Sequence, residues 1–329
     1  MSSKKIIAIV GATGTQGGSV AKTFLSQSET WTVRCLTRNP SSPSAQHLSS
    51  LGAEVVTASL DDVDSLKKAF AGAHVIFVNT DFWAPFRQLL PEKGHAVARD
   101  MAMETETRHA NNAAEAAKGV ESLERYIYSA LGPMKRASNG KYPDSHHWET
   151  KAAAVDYIET QLPDLAAKTS FIYIAAYATN TFLLPKPNPT TGAYELLINC
   201  PASTRFPIIE TGASTGPFVH ALISEPPRTK LLAYDDYLTI TEVAETWKRV
   251  TGKNAEVVSL DMDEMSERTG LTSEVLCGPA FIGEFGYMGG IDGWIGPDQL
   301  RNHPETQSYE EYLRKQDPAS LSNVEFEMA

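Results

Sequence analysis

Cysteine is scarce in this chain: Cys35, Cys200 and Cys277 are the only three in 329 residues. They form neither a Cys-x-x-Cys pair nor a metal-ligand spacing, which argues against a disulfide framework and suits a reducing compartment. Long apolar runs are lacking too. The first, Ile6-Ile7-Ala8-Ile9-Val10, stops at a glycine after five residues, so it reads as a buried strand and not as a signal peptide. No run reaches the roughly 18 to 20 apolar residues that cross a bilayer, so no membrane span is expected. Basic residues are outnumbered, with 29 Lys and Arg against 40 Asp and Glu and a formal charge of −11. Nucleic-acid affinity rests largely on clustered cations, so direct binding to nucleic acid is not expected. Internal repeats and low-complexity tracts are missing as well. A cytoplasmic protein with no metal site is the expectation.

What is present is a rhythm. From Lys4 to about Ala130, short runs rich in branched apolar residues alternate with longer helix-compatible stretches, the pattern of βαβ units around a parallel sheet. Candidate strands are residues 6–10, 32–37, 54–57, 75–79, 126–129 and 171–175. Candidate helices are 19–26, 45–51, 63–70, 95–118 and 148–160. After about Asn180, prolines at 185, 187, 189 and 201 break the alternation. The expected fold is therefore α/β, a Rossmann-type doubly wound parallel sheet over residues 1–180, with a smaller C-terminal α+β lobe over 181–329. In the lobe, a hairpin-like segment is expected at 193–199 and a strand at 256–259. Helices are expected at 216–224, 241–251, 261–269 and 308–314. Residues 277–297, rich in glycine and aromatics, read as either a satellite core under loops or the cap of a small-molecule cleft.

The first strand runs directly into Gly11-Ala12-Thr13-Gly14-Thr15-Gln16-Gly17. In a dinucleotide-binding turn the first glycine permits the sharp exit from the strand, and the second lets backbone approach a pyrophosphate. The third lets the next helix pack on the sheet with its N-terminus facing the negative charge. Thr13, Thr15 and Gln16 add hydrogen-bonding groups. The second strand ends in Leu36-Thr37-Arg38-Asn39-Pro40, without the carboxylate that would accept the ribose hydroxyls of NAD. Arg38 suits a 2′-phosphate instead, so NADP(H) is the expected cofactor. By position, Asp62 and Val63 follow the third strand near an adenine edge. Asn79 and Thr80 leave the fourth strand near the pyrophosphate and nicotinamide ribose.

The glycine spacing is that of short-chain dehydrogenases, which commonly use a Tyr-x-x-x-Lys pair, the tyrosine as general acid and the lysine to lower its pKa and hold the ribose. Here the matching segment is His147-Trp148-Glu149-Thr150-Lys151. Lys151 keeps its cofactor role. His147 stands in the place of the tyrosine, and is either a proton donor, since histidine titrates at about 6.5, or a structural histidine. His146 has no better claim. Ser129 ends the fifth strand where dehydrogenases place an assisting serine.

Taken together, residues 11–20, Leu36 to Pro40, Gly52 to Val56, Asn79 to Trp83, Tyr126 to Ser129 and His147 to Lys151 resemble the NmrA-like proteins, atypical short-chain dehydrogenases. The resemblance covers roughly residues 4 to 260 and recurs weakly near residues 309–314. It implies NADP contacts from the residues at Gly11 to Gln16, Arg38, Asp62, Val63 and Lys151. It implies the same for the Tyr177-Ala178-Thr179-Asn180 turn, with Tyr177 and Asn180 at the nicotinamide end. Two functions are implied. One is NADPH-dependent reduction of an unidentified small-molecule substrate. The other is a catalytically silent redox sensor regulating transcription through a protein partner, a GATA-type transcription factor by resemblance, in cytoplasm and nucleus.

Overall fold

A computed structural model describes residues 4–317 and 319–321. The chain begins with β1 (Lys5–Ile9), α1 (Thr15–Leu25), β2 (Trp31–Thr37), α2 (Pro43–Ser50), β3 (Glu54–Thr57), α3 (Val63–Phe70) and β4 (Val75–Val78). A helical pair, α4 (Trp83–Lys93) and α5 (His95–Ala117), follows. Then come β5 (Arg125–Ala130), α6 (Met134–Ala137), α7 (His146–Gln161), α8 (Pro163–Ala166) and β6 (Thr169–Ile174). The remainder contains β7 (Ala176–Tyr177), β8 (Lys186–Pro187), β9 (Tyr194–Ile198), β10 (Arg205–Ile209), α9 (Thr211–Ile223), β11 (Lys230–Ala233) and β12 (Asp236–Thr239). It ends with α10 (Ile240–Thr251), β13 (Ala255–Ser259), α11 (Met262–Thr269), α12 (Ser273–Phe285), β14 (Trp294–Ile295) and α13 (Tyr309–Arg314).

Eight strands form one sheet in the order β14-β11-β6-β5-β4-β1-β2-β3, and every neighbouring pair is parallel. Parallel sheets bury both faces, which is why β4 at the centre is wholly apolar and β1 nearly so, whereas β2 and β3 toward the edge keep Arg34 and Glu54. Successive side chains of β1 alternate accordingly. Ile7 and Ile9 join Val20 and Phe24 of α1, Leu48 of α2 and Phe218 and Leu222 of α9 on one face. Ala8 joins Leu66 and Phe70 of α3, Ala110 and Ala114 of α5 and Trp148 and Ile158 of α7 on the other. The strand order reverses between β1 and β4, and the crevice at that reversal, outside the carboxyl ends of the strands, is where open α/β sheets bind ligands.

The expected doubly wound sheet is present, and its first six strands lie within one or two residues of the expected positions. Helix α1 starts at Thr15 instead of residue 19, because Gly17 and Gly18, poor helix formers, are held in its first turn by packing. Helix α4 was not expected; it carries Pro85 and Pro91, and its Phe82–Phe86 flank is held by Ala98 and Ala102 of α5. Strand β11 was also unexpected. Four residues long, it owes its conformation to β6, with Leu231 opposite Ile172. The segment 277–297 opens as the second half of α12 and includes β14, so two strands from beyond residue 180, β11 and β14, complete the sheet begun by the first 180 residues. Phe281 and Tyr287 are part of the main core, whereas Phe285 and Trp294 are exposed. Two three-stranded sheets, β12-β10-β7 and β13-β9-β8, make up the rest. The three cysteines are free and buried. Burial pushes the Cys35 thiol up to about 12 and those of Cys200 and Cys277 to about 11, so none is poised as a thiolate nucleophile.

Candidate dinucleotide and catalytic site

The glycine turn leaves β1 in the left-handed region, with φ of +76° at Gly11, a conformation that costs any residue with a Cβ. The Gly14 amide then donates to the Gly11 carbonyl at 2.9 Å. At Gly17 a Cβ would lie 2.2 Å from the Gly11 oxygen and 2.8 Å from the Ala12 nitrogen. At Gly14 a Cβ would meet only an ordinary contact, 3.4 Å from that same oxygen, and φ is −94°. The turn itself therefore requires Gly17 but not Gly14. Gly14 is exposed, as are Thr13 and Thr15 beside it. No described residue accepts from the Thr15, Gln16 or Gly17 amides at the start of α1, and its first turn carries no acidic side chain. Such a helix end accommodates an anion, and a residue without a side chain at Gly14 lets that anion approach the backbone.

The other expected residues sit around the same end of the sheet. Arg38, just past β2, is exposed and makes no hydrogen bond or ion pair with a described residue. Beside it, Thr37 Oγ1 accepts from the Asn39 amide at 3.1 Å, and Asn39 Oδ1 from the Ser41 amide at 3.1 Å, so the loop is locally ordered. Asp62 caps α3, accepting from the amides of Asp64 and Ser65 at 3.0 and 3.1 Å, and Val63 is the first residue of that helix. Gln16 Nε2 donates to the Tyr177 hydroxyl at 2.7 Å, tying the first turn of α1 to residues 177–180. Asn180 closes that turn by donating its amide to the Tyr177 carbonyl at 2.8 Å.

Lys151 is brought to Asn79 and Thr80. Its Nζ donates to the Thr80 carbonyl at 2.9 Å and lies 3.3 Å from both Asn79 Oδ1 and Thr80 Oγ1. It is also 3.2 Å from Oε1 of Glu106, whose side chain is fully buried. That carboxylate accepts from Thr80 Oγ1 at 2.9 Å and from Thr150 Oγ1. The Tyr128 hydroxyl completes the cluster, 3.1 Å from Thr80 Oγ1. Burial, and then the charge of Glu106, raise the Tyr128 hydroxyl well above its usual range, so it stays a neutral hydrogen-bonding group. Lys151 is thus aimed at the carboxyl end of β4 by a buried anion beneath it.

A profile of the NmrA-like family matches residues 3–313. The chain belongs to the NmrA-like family. It is similar to the NmrA-like family domain-containing oxidoreductase himF of Aspergillus japonicus, 30% identical over 81% of this chain and 79% of that one. It is 28% identical to the NmrA-like oxidoreductase hkm9 of Aspergillus hancockii over 81% and 78% of the two chains. Among solved structures it resembles NmrA, a negative transcriptional regulator, in complexes with NAD (TM-score 0.67) and with NADP (0.64); both are 20% identical and cover 96% of each chain. Isoflavone reductase superposes with a TM-score of 0.69 at 15% identity, over 95% and 99% of the chains. At these identities the superpositions speak for the shared fold.

In this NmrA-like protein the histidine of the His-x-x-x-Lys motif and His146 just before it meet a partner from far along the chain. Oε1 of Glu274, in the first turn of α12, lies 2.6 Å from His147 Nδ1 and accepts from the His147 amide at 3.1 Å. Oε2 lies 2.5 Å from His146 Nδ1. Ser145 offers α7 no side-chain cap, so Glu274 serves as one, placing a carboxylate at two helix N-termini at once. Burial alone would raise this carboxyl, but the hydrogen bonds from His146 and His147 outweigh it and hold Glu274 at about 2. A carboxyl held below its ordinary value of about 4.5 stabilises the fold above that value and loses its contribution as pH falls toward 2. The full contribution is about 3 kcal/mol. Urea unfolding between pH 5 and pH 3 should therefore show stability declining more steeply for the native protein than for Glu274→Gln. Equal slopes would remove Glu274 from the acid response.

Glu106, Tyr128, Thr150 and Glu274 were not singled out in the sequence. Glu106 left a trace, being the one carboxylate on a stripe of Ala98, Ala102, Ala110 and Ala113 that recurs at helical spacing on α5. Thr150 lies within the His147–Lys151 motif. Nothing local connects Glu274 with residues more than a hundred positions earlier. Ser129 is buried, and no hydrogen bond joins its hydroxyl to Lys151.

Proposed function

We propose that this NmrA-like protein is an NADP(H)-dependent oxidoreductase that reduces a small carbonyl or enone compound. The observation that carries this reading is Lys151, held by a buried carboxylate at the carboxyl end of β4 beside an anion-accepting glycine turn. The turn and the start of α1 would receive the pyrophosphate, Arg38 the 2′-phosphate, and Lys151 the hydroxyls of the nicotinamide ribose. A reduced nicotinamide, when bound, supplies a hydride. Lys151 fixes where the ring lies, and His147, one helical turn away on the same face of α7, is placed to move a proton. The relatives named as oxidoreductases support this reading, as do the NADP and NAD complexes of NmrA for a nicotinamide dinucleotide.

Fluorescence titration tests the cofactor assignment. Charge-assisted contacts to phosphate contribute about 1.5 to 3 kcal/mol, so Arg38→Ala should weaken NADPH binding about 10- to 100-fold and leave NADH within about twofold. A native protein that prefers NADH, with Arg38→Ala unchanged, would contradict the assignment. Turnover is tested by following NADPH absorbance with a panel of aldehydes, enones and quinones against a Lys151→Ala, His147→Phe double variant. If no compound is reduced above that control, the oxidoreductase reading fails.

A second reading, an NADP(H)-responsive regulator that contacts a protein partner, draws its support from the histidine at position 147 where the dehydrogenase pattern has tyrosine. It predicts capture of a partner, a GATA-type transcription factor by family resemblance, in yields that differ between NADP+ and NADPH.

A further inference from the structure

We propose that Glu274 is a positioning residue that holds His147 in its Nδ1–H tautomer, leaving Nε2 as the atom that exchanges a proton with the substrate oxygen. This inference rests on the oxidoreductase reading and extends it to a residue of α12 that no motif contains.

The geometry is specific on three sides. Glu274 is 3% exposed in its side chain, and as a carboxylate it can only accept. The His147 nitrogen 2.6 Å from it must therefore be the one carrying hydrogen. The same oxygen takes the His147 amide at 3.1 Å, so backbone and ring are fixed by one atom. On the third side the ring lies 4.9 Å from Trp83, the residue that opens α4. Asn79 and Thr80, which hold Lys151, are four and three positions earlier in the same segment. One short stretch, residues 79–83, thus borders both ends of the His-x-x-x-Lys motif. The His147 side chain is 20% exposed, and its Nε2 has no hydrogen bond to a described residue. A partly exposed histidine with one nitrogen held by a buried carboxylate and the other without a partner among the described residues has the arrangement of an acid–base relay.

The step it would perform balances. As the substrate carbonyl carbon accepts hydride from the reduced nicotinamide, the C=O π pair moves onto oxygen. That oxygen forms its O–H bond with the proton leaving His147 Nε2, and the carbonyl becomes an alcohol. The imidazolium becomes a neutral imidazole with Nδ1–H still directed at Glu274. Water restores the Nε2 proton. His146, on the other oxygen, keeps Glu274 from rotating away.

The test uses full-length protein labelled with nitrogen-15 histidine. Long-range proton–nitrogen spectra at pH 8.5 should show His147 with hydrogen on Nδ1 and a bare Nε2. Glu274→Gln, which retains an acceptor oxygen, should keep that tautomer, and Glu274→Leu should revert to the Nε2–H form that an unconstrained histidine side chain favours. Acylation of His147 by diethyl pyrocarbonate, read by peptide mass spectrometry, should slow at least fivefold when NADP+ is bound. Nε2–H in the native protein, or an acylation rate indifferent to bound NADP+, would overturn the proposal while leaving the cofactor site intact. Failure of NADP+ to bind at all would instead overturn the reading beneath it, and the proposal with it. Should Glu274→Leu not fold, the native tautomer and the NADP+ protection decide.

Discussion

A Gly17→Ala protein is expected to lose NADPH binding and to unfold at a temperature lowered by at least about 6 °C. The added Cβ would sit 2.2 Å from the Gly11 carbonyl oxygen and 2.5 Å from its carbon. Both are backbone atoms, so no rotamer change relieves the clash, and α1 must move off β1. Overpacking typically costs about 1 to 3 kcal/mol where side chains can shift; with backbone on both sides the upper end applies. Gly14→Ala is the informative contrast. Its Cβ would make one ordinary contact at 3.4 Å, so stability should change by less than about 1 kcal/mol. NADPH affinity should nonetheless fall at least tenfold, because the methyl occupies the approach to the helix start. Thermal melts and fluorescence titrations of both variants separate the two roles. A Gly14→Ala protein that binds NADPH normally would show that no phosphate passes over this turn.

Glu106→Leu should be the most destabilising change around Lys151. It removes the carboxylate 3.2 Å from an ammonium whose side chain is only 11% exposed, and it takes away one acceptor from each of the Thr80 and Thr150 hydroxyls. Breaking a buried pair from one side costs about 3 to 5 kcal/mol, whereas replacing both charges by apolar groups is often nearly neutral. The pair Glu106→Leu with Lys151→Met should therefore recover at least half of the loss, a coupling of about 2 kcal/mol in urea unfolding. Additive losses would show that Lys151 and Glu106 do not sense each other in the folded protein. The double variant should still bind NADPH weakly through the glycine turn and Arg38, without supporting turnover.

These contrasts track what the sequence could reveal. The glycine turn, Arg38 and Lys151 could be picked out as candidates because each belongs to a short local pattern; for the turn, a strand, a turn and a helix start lie within a dozen residues of one another. The first six strands were legible because each has a core of branched or aromatic apolar residues between polar stretches, longest where the sheet is buried on both faces. Glu274 was not, since its meaning comes from His146 and His147 across a gap that only folding closes. Strand β11 carries no signal of its own beyond Leu231 and Leu232; β6 makes it a strand. Helix α4 was hidden by Pro85 and Pro91, which mark breaks unless a partner such as Ala98 and Ala102 of α5 holds the chain. What remained unread was in each case a contact with another element, and one of those contacts, Glu274 against His146 and His147, determines how the histidine of the site is set.

The late strands of the sheet also bear on how the chain is made. While it emerges from the ribosome, β1 to β6 can assemble as soon as residue 174 is free, but β6 then presents an unpaired, wholly buried-type edge. Its neighbour β11 arrives roughly fifty residues later, several seconds at ordinary rates of synthesis, and β14 later still. During that interval Phe171, Ile172 and Tyr173 are open to pairing with other chains. Newly made protein is thus most vulnerable to aggregation in the window between completion of β6 and arrival of β11, and truncations ending near residue 200 should be recovered mainly as insoluble material.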